Sequence, residues 1–200
     1  MIKEPILEGP PVRIEETDAL IAVDVQNDFC PGGALPVQGG ANVVPAINRL
    51  SPTFHTLVFS RDWHPPDHCS FSDTPEFRDG SWPVHCVQHS PGAEFHGDLI
   101  VPLDAKIIDK ATEPDTEDYD AFQDSDLTEY LRSRGVRRVF VAGLATDYCV
   151  KFTALSSARE GFETWLVLDG CRGVAEATTK AALEEMKQAG VKTCRSPELE

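Results

Sequence analysis

Short apolar runs alternate with amphipathic stretches along the whole chain. Ala19-Leu-Ile-Ala-Val-Asp-Val25 is apolar at nearly every position, the pattern of a strand buried on both faces. Shorter runs of the same kind follow at Thr56–Ser60, Lys106–Asp109, Arg138–Ala142 and Thr164–Leu168, with a weaker one at Val191–Cys194. Between them, Val43, Val44, Ile47 and Leu50 recur at helical spacing, and Leu127, Tyr130 and Leu131 lie behind an Asp126-x-x-Glu129 capping box and ahead of Gly135. Phe152, Leu155 and Ala158 extend a helix that starts near Asp147 and stops at Gly161, and a last helix covers about residues 175–188 before Gly190. The alternation predicts a three-layer (αβα), doubly wound, mainly parallel six-stranded sheet. In such sheets ligands gather beyond the carboxyl ends of the strands, so the residues closing each apolar run are where chemistry is expected.

Length and charge narrow the partners. A chain of 200 residues supports one domain with a sizeable core. Its 33 acidic against 18 basic residues give a net charge of −15, which repels phosphate backbones and anionic lipid. Nucleic acid and membrane are therefore not expected partners; a small neutral or cationic ligand is. No run reaches the roughly 18 apolar residues of a membrane span. The six cysteines, at 30, 69, 86, 149, 171 and 194, form no C-x-x-C pair, and no signal-like apolar stretch follows the N-terminus. The expectation is a cytoplasmic chain with reduced cysteines. Assembly into a homo-oligomer is left open.

Four consecutive strand ends carry polar or ionisable groups. The first run contains Asp24 and leads into Gln26-Asn-Asp28; the second ends in Arg61-Asp-Trp-His64, the third in Lys110, and the fourth in Gly143-Leu-Ala-Thr-Asp-Tyr-Cys149. A carboxylate within an apolar strand needs a partner. Asp24 beside Lys110 and Cys149 would place a base and a cation around a thiol, and a cysteine in the first turn of a helix also feels the positive end of the helix dipole. Asn27 and Asp28 are the better candidates for fixing the turn after the first strand. A second constellation, Asp62-x-His64 with His68 and the His85 of Trp82-Pro-Val-His85, offers ligands suited to zinc, iron or manganese with coordination positions left open. His89 and His96 read as surface or loop-fixing residues. The chain has no GxGxxG after a strand, no P-loop, no H-E-x-x-H and no G-x-S-x-G.

Taken as a set, these segments are similar to a known group. Val23-Asp-Val-Gln-Asn-Asp-Phe-Cys-Pro-Gly-Gly33, Asp62-Trp-His-Pro65, Trp82-Pro-Val-His-Cys86, Gly92-Ala-Glu-Phe-His96, Lys110 and Gly143-Leu-Ala-Thr-Asp-Tyr-Cys-Val150 resemble the nicotinamidase/pyrazinamidase branch of the isochorismatase-like cysteine hydrolases. The resemblance covers about residues 17–196 and leaves 1–16 as an N-terminal extension. It implies the isochorismatase-like hydrolase fold and hydrolysis of nicotinamide to nicotinate and ammonia, with pyrazinamide as a further substrate, in NAD salvage. It also implies Asp24, Lys110 and Cys149 as catalytic residues acting through a thioester. One divalent transition metal is implied on Asp62, His64 and His85, zinc ahead of iron or manganese, with the substrate's ring nitrogen on the metal. Some members use a further ligand in the loop that holds His68, and others use none there. The resemblance further implies a cis peptide between Leu144 and Ala145, an oxyanion hole from the N–H groups of Ala145 and Cys149, and a ring pocket shaped by Phe29, Trp82 and Tyr148. Asp120, in Tyr119-Asp-Ala-Phe122, departs from the small polar residue more usual there. Two alternatives stay open: a sister hydrolase acting without metal on isochorismate, a carbamoyl compound or another small amide, and a non-catalytic metal-binding or interaction protein on the same fold.

Overall fold

The computed structural model describes residues 12–77 and 80–199. Six strands form one sheet: β1 (Asp18–Val23), β2 (Thr56–Asp62), β3 (Lys106–Lys110), β4 (Arg138–Leu144), β5 (Glu163–Arg172) and β6 (Lys192–Cys194). Their order is β3-β2-β1-β4-β5-β6, and every pair is parallel. The α-helices among the described residues are α1 (Val44–Leu50), α2 (Leu127–Ser133), α3 (Cys149–Arg159) and α4 (Glu176–Gln188).

Because successive side chains of a strand point to opposite faces, the apolar runs split into two cores. Ala19, Ile21, Val23, Val139 and Val141 pack with Leu127 and Leu131 of α2, Val150 and Ala154 of α3, and Met186 of α4. On the other face Leu20, Ala22, Phe140, Ala142 and Leu144 pack with Val44, Ile47 and Leu50 of α1. Both faces are thus covered, which is why β1 reads as an unbroken apolar run. The order of strands reverses between β1 and β4, so the loops after these two strands diverge and leave a crevice where ligands bind in open α/β sheets.

Several boundaries differ from the sequence pattern for local reasons. β1 ends at Val23, because Asp24 turns into the left-handed region at φ 49°. β5 runs on to Arg172 through a register shift between Val141 and Gly143 of β4. Gly143 has φ 126°, and a Cβ there would sit 2.0 Å from the Val23 carbonyl oxygen, so only glycine lets β4 pass β1 at the crevice. The capping box at Asp126 does not form. The Asp126 carboxylate accepts instead from Lys106 Nζ at 2.8 Å, and Ser125 Oγ accepts the Leu127 N–H at 3.3 Å. Helix α3 begins at Cys149 rather than near Asp147, whose carboxylate is engaged elsewhere.

Of the expected N-terminal extension, residues 1–11 lie outside the described residues. Val12 pairs with Leu199, and the Glu15 N–H donates to Asp18 at 2.7 Å. Asp18 is fully buried and takes Nε and Nη2 of Arg138 at 2.8 and 2.5 Å. Asp18→Ala would strand the guanidinium and the Glu15 N–H. It should destabilise the fold by about 3 kcal/mol, the low end for a broken buried pair because Arg138 keeps some access to water. A urea titration should show a lower midpoint with an unchanged slope.

Candidate active site

The ends of β1, β2, β3 and β4 bring Asp24, Asp62, Lys110 and Cys149 to one buried spot. Lys110 Nζ lies 2.9 Å from Asp24 Oδ2 and donates to Cys149 Sγ at 3.4 Å, to the Asp118 carbonyl at 3.4 Å and to Asp62 Oδ1. Ser60 Oγ donates to the other Asp24 oxygen at 2.7 Å. The backbone at Asp24 and at Ala111, the residues just past β1 and β3, is left-handed, at φ 49° and 51°. Non-glycine residues seldom adopt that conformation, and it concentrates at functional sites.

Electrostatics here is set by burial competing with the single ammonium. Burial raises the Asp24 carboxyl, with Asp62 adding to the rise and Lys110 opposing it. Burial also disfavours charge on Lys110, yet the Asp24 and Asp62 carboxylates outweigh it and hold the ammonium well above its ordinary range. The Cys149 thiol is subject to the same competition. Burial pushes it well up, and although Lys110 pulls it down, Asp24 and Asp62 push the same way as burial. Burial and the two carboxylates thus favour the thiol over the thiolate, and a carboxylate able to take its proton lies beside it.

The second constellation adjoins the first through Asp62. Asp62, His64 and His85, all buried, each offer a ligand atom, and these atoms lie within 4.8 Å of one another. His64 Nδ1 faces the Ala111 carbonyl at 3.3 Å and His85 Nδ1 the Pro83 carbonyl at 2.8 Å. Both Nε2 atoms therefore point to Asp62 Oδ2, at 3.6 and 4.0 Å. Burial lowers His85 to about 4, so its imidazole is neutral at physiological pH, the form that ligates metal. Burial would raise Asp62, but Lys110 and the imidazoles outweigh it and keep the carboxylate ionised. One carboxylate and two imidazoles with outer-shell carbonyl partners form a donor set that fits a divalent transition metal. Asp62 cannot drift, because Gln26 accepts its N–H at 2.8 Å and donates to its carbonyl at 2.8 Å. The His68 ring lies tilted against His64 with centroids 4.2 Å apart, but its Nδ1 meets Ser70 Oγ at 2.8 Å and its Nε2 the Thr116 carbonyl beyond β3 at 3.0 Å, so both nitrogens are engaged by the chain.

A cavity of about 60 Å³ opens onto both constellations, with Asp62, His85 and Cys149 at its base and Phe29, Trp82 and Tyr148 on its walls. Trp82 is held by a 2.8 Å bond from its Nε1 to the Tyr119 hydroxyl and by an edge contact with Tyr148 at 5.1 Å. Beside Cys149, the Leu144–Ala145 peptide is cis. The Tyr148 and Val150 N–H groups are bonded to the Ala145 carbonyl and the Thr146 N–H to Arg172, whereas the Ala145 and Cys149 N–H groups have no acceptor among the described residues.

The isochorismatase domain family matches residues 18–198. Nicotinamidase/pyrazinamidase of Mycobacterium tuberculosis is 44% identical, over 86% of this chain and 96% of its own. The chain belongs to the isochorismatase family, in its nicotinamidase/pyrazinamidase branch. Among solved structures, pyrazinamidase of Pyrococcus horikoshii, in complex with zinc, is 46% identical with a TM-score of 0.82, covering 90% of this chain and 99% of that one. PnC1 from L. infantum, in complex with nicotinate, is 39% identical with a TM-score of 0.87, covering 95% and 98%.

Sequence reasoning missed several supports of this isochorismatase-type site. Glu117 lines the cavity with its Oε2 buried and without a hydrogen-bond partner, and nothing in its local sequence marks it. Asp147, within the Ala-Thr-Asp-x-Cys segment, accepts the Val174 and Ala175 N–H groups at 2.9 and 3.3 Å and Thr178 Oγ1 at 2.5 Å. It ties the chain just ahead of α4, and Thr178 in its first turn, to the segment before Cys149, and so fixes the wall that Val174 adds to the cavity. Asp28 receives the Cys86 N–H at 2.7 Å and the Ala34 N–H at 3.1 Å, while Asn27 donates to the Pro91 carbonyl at 2.8 Å, the loop-fixing roles their positions predict. Asp120 turns away from the cavity. Its carboxylate takes Ser156 Oγ and the Phe122 N–H, with Arg159 3.9 Å away, so the unusual residue clasps its loop to α3.

Proposed function

We propose that the chain is a metal-dependent cysteine amidohydrolase that converts nicotinamide to nicotinate and ammonia, and pyrazinamide to pyrazinoate, through a thioester on Cys149. The observation that carries this reading is the sharing of one aromatic-walled cavity by Cys149, with its Lys110 and Asp24 neighbours, and by the Asp62–His64–His85 cluster. Asp62, His64 and His85 would hold the metal, zinc ahead of iron or manganese, and the orphaned Glu117 oxygen in the same cavity adds a further polar group facing that region. When bound, such an ion supplies a Lewis-acid anchor for a pyridine or pyrazine nitrogen.

The chain's own residues account for the covalent steps. Phe29, Trp82 and Tyr148 sandwich the ring and hold the carboxamide carbon over Cys149. Asp24 takes the thiol proton as sulfur bonds to that carbon, and the raised pKa that burial gives its carboxyl suits it to the transfer. The free Ala145 and Cys149 N–H groups receive the oxyanion, each donor worth about 3 to 4 kcal/mol in such sites. Asp24 returns the proton to the departing nitrogen and ammonia leaves. Water then loses a proton to Asp24 and attacks the thioester carbon; the carbon–sulfur bond breaks, the sulfur is reprotonated and nicotinate is released. Lys110 stabilises negative charge on sulfur and keeps Asp24 in place. Nicotinate is a pyridine precursor, and cysteines that are all unpaired among the described residues suit a reducing compartment, so NAD salvage in the cytoplasm is the fitting setting.

Ammonia release from nicotinamide, assayed with and without a chelator, tests the proposal; no release from nicotinamide by metal-loaded protein would overturn it. Asp24→Asn and Lys110→Ala should each lower kcat by about 10²- to 10⁴-fold. The double variant should lose little more than the worse single one, because the three groups act as a unit; additive losses would separate their roles. His68→Ala should keep its metal by elemental analysis and lose about 1 kcal/mol of stability with the Ser70 and Thr116 bonds. A metal-free His68→Ala protein would move that residue into the ligand set.

A further inference from the structure

We infer that the Lys110 ammonium sits at the centre of a latent second cation site, built from Asp24, Asp62, Cys149 and the Asp118 carbonyl, and that it restricts the chain to one metal ion. The inference rests on the reading that Asp62, His64 and His85 hold the first ion. Four potential ligands surround Nζ: Asp24 Oδ2 at 2.9 Å, Cys149 Sγ at 3.4 Å, the Asp118 oxygen at 3.4 Å and Asp62 Oδ1 in direct contact. The three side-chain donors are buried, and their ligand atoms come within 4.8 Å of one another.

Three oxygens and one sulfur make a shell acceptable to zinc or cobalt. Asp62 divides its oxygens between the two groups. Oδ1 meets Lys110, while Oδ2 faces His64 and His85, so one carboxylate would bridge two ions, as in binuclear centres with metals about 3.5 to 4 Å apart. An ammonium has only three N–H donors for these four groups. The shortfall is visible at Asp24 Oδ2, which is fully buried and ion-paired yet receives no hydrogen bond. A divalent ion would match the shell better in charge and in number of bonds, but it must first drive a buried, tethered ammonium out from between two carboxylates. That exclusion matters to the reaction, because an ion on Cys149 Sγ would draw electron density from the sulfur and weaken it as a nucleophile.

Cobalt(II) titration tests the idea without relying on activity. With excess cobalt followed by removal of free ion, the wild-type protein should retain one equivalent by elemental analysis and show no near-ultraviolet thiolate-to-cobalt absorption. Lys110→Ala should retain two equivalents and gain that absorption, and adding Cys149→Ser should remove it. Lys110→Gln, which keeps a polar side chain without the charge, carries the same expectation if the alanine variant does not fold. A folded Lys110 variant with one cobalt and no thiolate band overturns the inference and leaves the first site standing, as does a wild-type protein that shows the band. A wild-type protein that binds no cobalt instead overturns the reading of the first site.

Discussion

Cys149→Ala should abolish ammonia release from nicotinamide while leaving the fold and the bound metal intact. The sulfur is the only proposed nucleophile, and it is not among the atoms of the Asp62–His64–His85 cluster. Losing it also removes little packing, since alanine keeps the Cβ at a buried position in the first turn of α3. Residual catalysis by the ring pocket and the Ala145 and Cys149 N–H groups should be at most about 10³- to 10⁴-fold over water, far below the intact site. Mass spectrometry of wild-type protein quenched during turnover should find the acyl adduct on Cys149. Cys30, Cys86, Cys171 and Cys194 are also buried, and burial raises the thiol of each. None of those four lines the cavity as Cys149 does. An electrophilic nicotinoyl analogue that labels any other cysteine, or a Cys149→Ala protein with substantial turnover, would end the nucleophile assignment.

What could be seen in the sequence, and what could not, divides along the range of the interactions. Asp24, Lys110 and Cys149 stand at the ends of apolar runs, and a parallel sheet turns that one-dimensional position into a three-dimensional one, so the chain order of the strands nearly suffices to bring them together. His85 is different. It lies in the long segment 63–105 between β2 and β3, which has no named strand or helix among the described residues and thus no hydrophobic period to read. Its place is set by isolated pairings of Phe71 with Trp82 and of His64 with Val87, and by the hold of Asp28 on the Cys86 N–H. These contacts join residues distant in sequence, so residue type could group His85 with His64, but no local pattern showed how the chain returns there. The same reason explains the polar supports. Asp126 and Asp147 both look like local helix caps, but a lysine on β3 claims the first and the start of α4 claims the second. Gln26 sits in a recognisable segment, yet its function is to fix the backbone of Asp62, a residue on another strand. The helix start and Lys110, which favour charge on the Cys149 sulfur, are legible in sequence, while the burial and the two carboxylates that oppose it exist only in the folded site.

The Asp62–His64–His85 cluster is where the proposed reaction would use a metal, and substrate discrimination measures its part. His64→Ala or His85→Ala should release the ion, because each removes one of three protein ligands and strips Asp62 of the partner that faces its Oδ2. If the ring nitrogen of the substrate is anchored at that cluster, benzamide, with the same carboxamide and no ring nitrogen, should be a very poor substrate. The ring pocket should not make the distinction, since Phe29, Trp82 and Tyr148 offer the same aromatic lining to either ring. A site built around one polar contact can reject an analogue lacking it by as much as about 10⁴-fold in kcat/KM. Much of that loss should fall on kcat, because an unanchored ring leaves the carboxamide carbon free to wander from Cys149. In cobalt-substituted protein the visible spectrum should shift with nicotinamide and stay unchanged with benzamide, which separates binding at the ion from chemistry at the sulfur. Comparable turnover of the two amides, or full activity in protein shown to be metal-free, would leave the thiol chemistry of Asp24, Lys110 and Cys149 standing but remove any role for the ion in positioning the substrate.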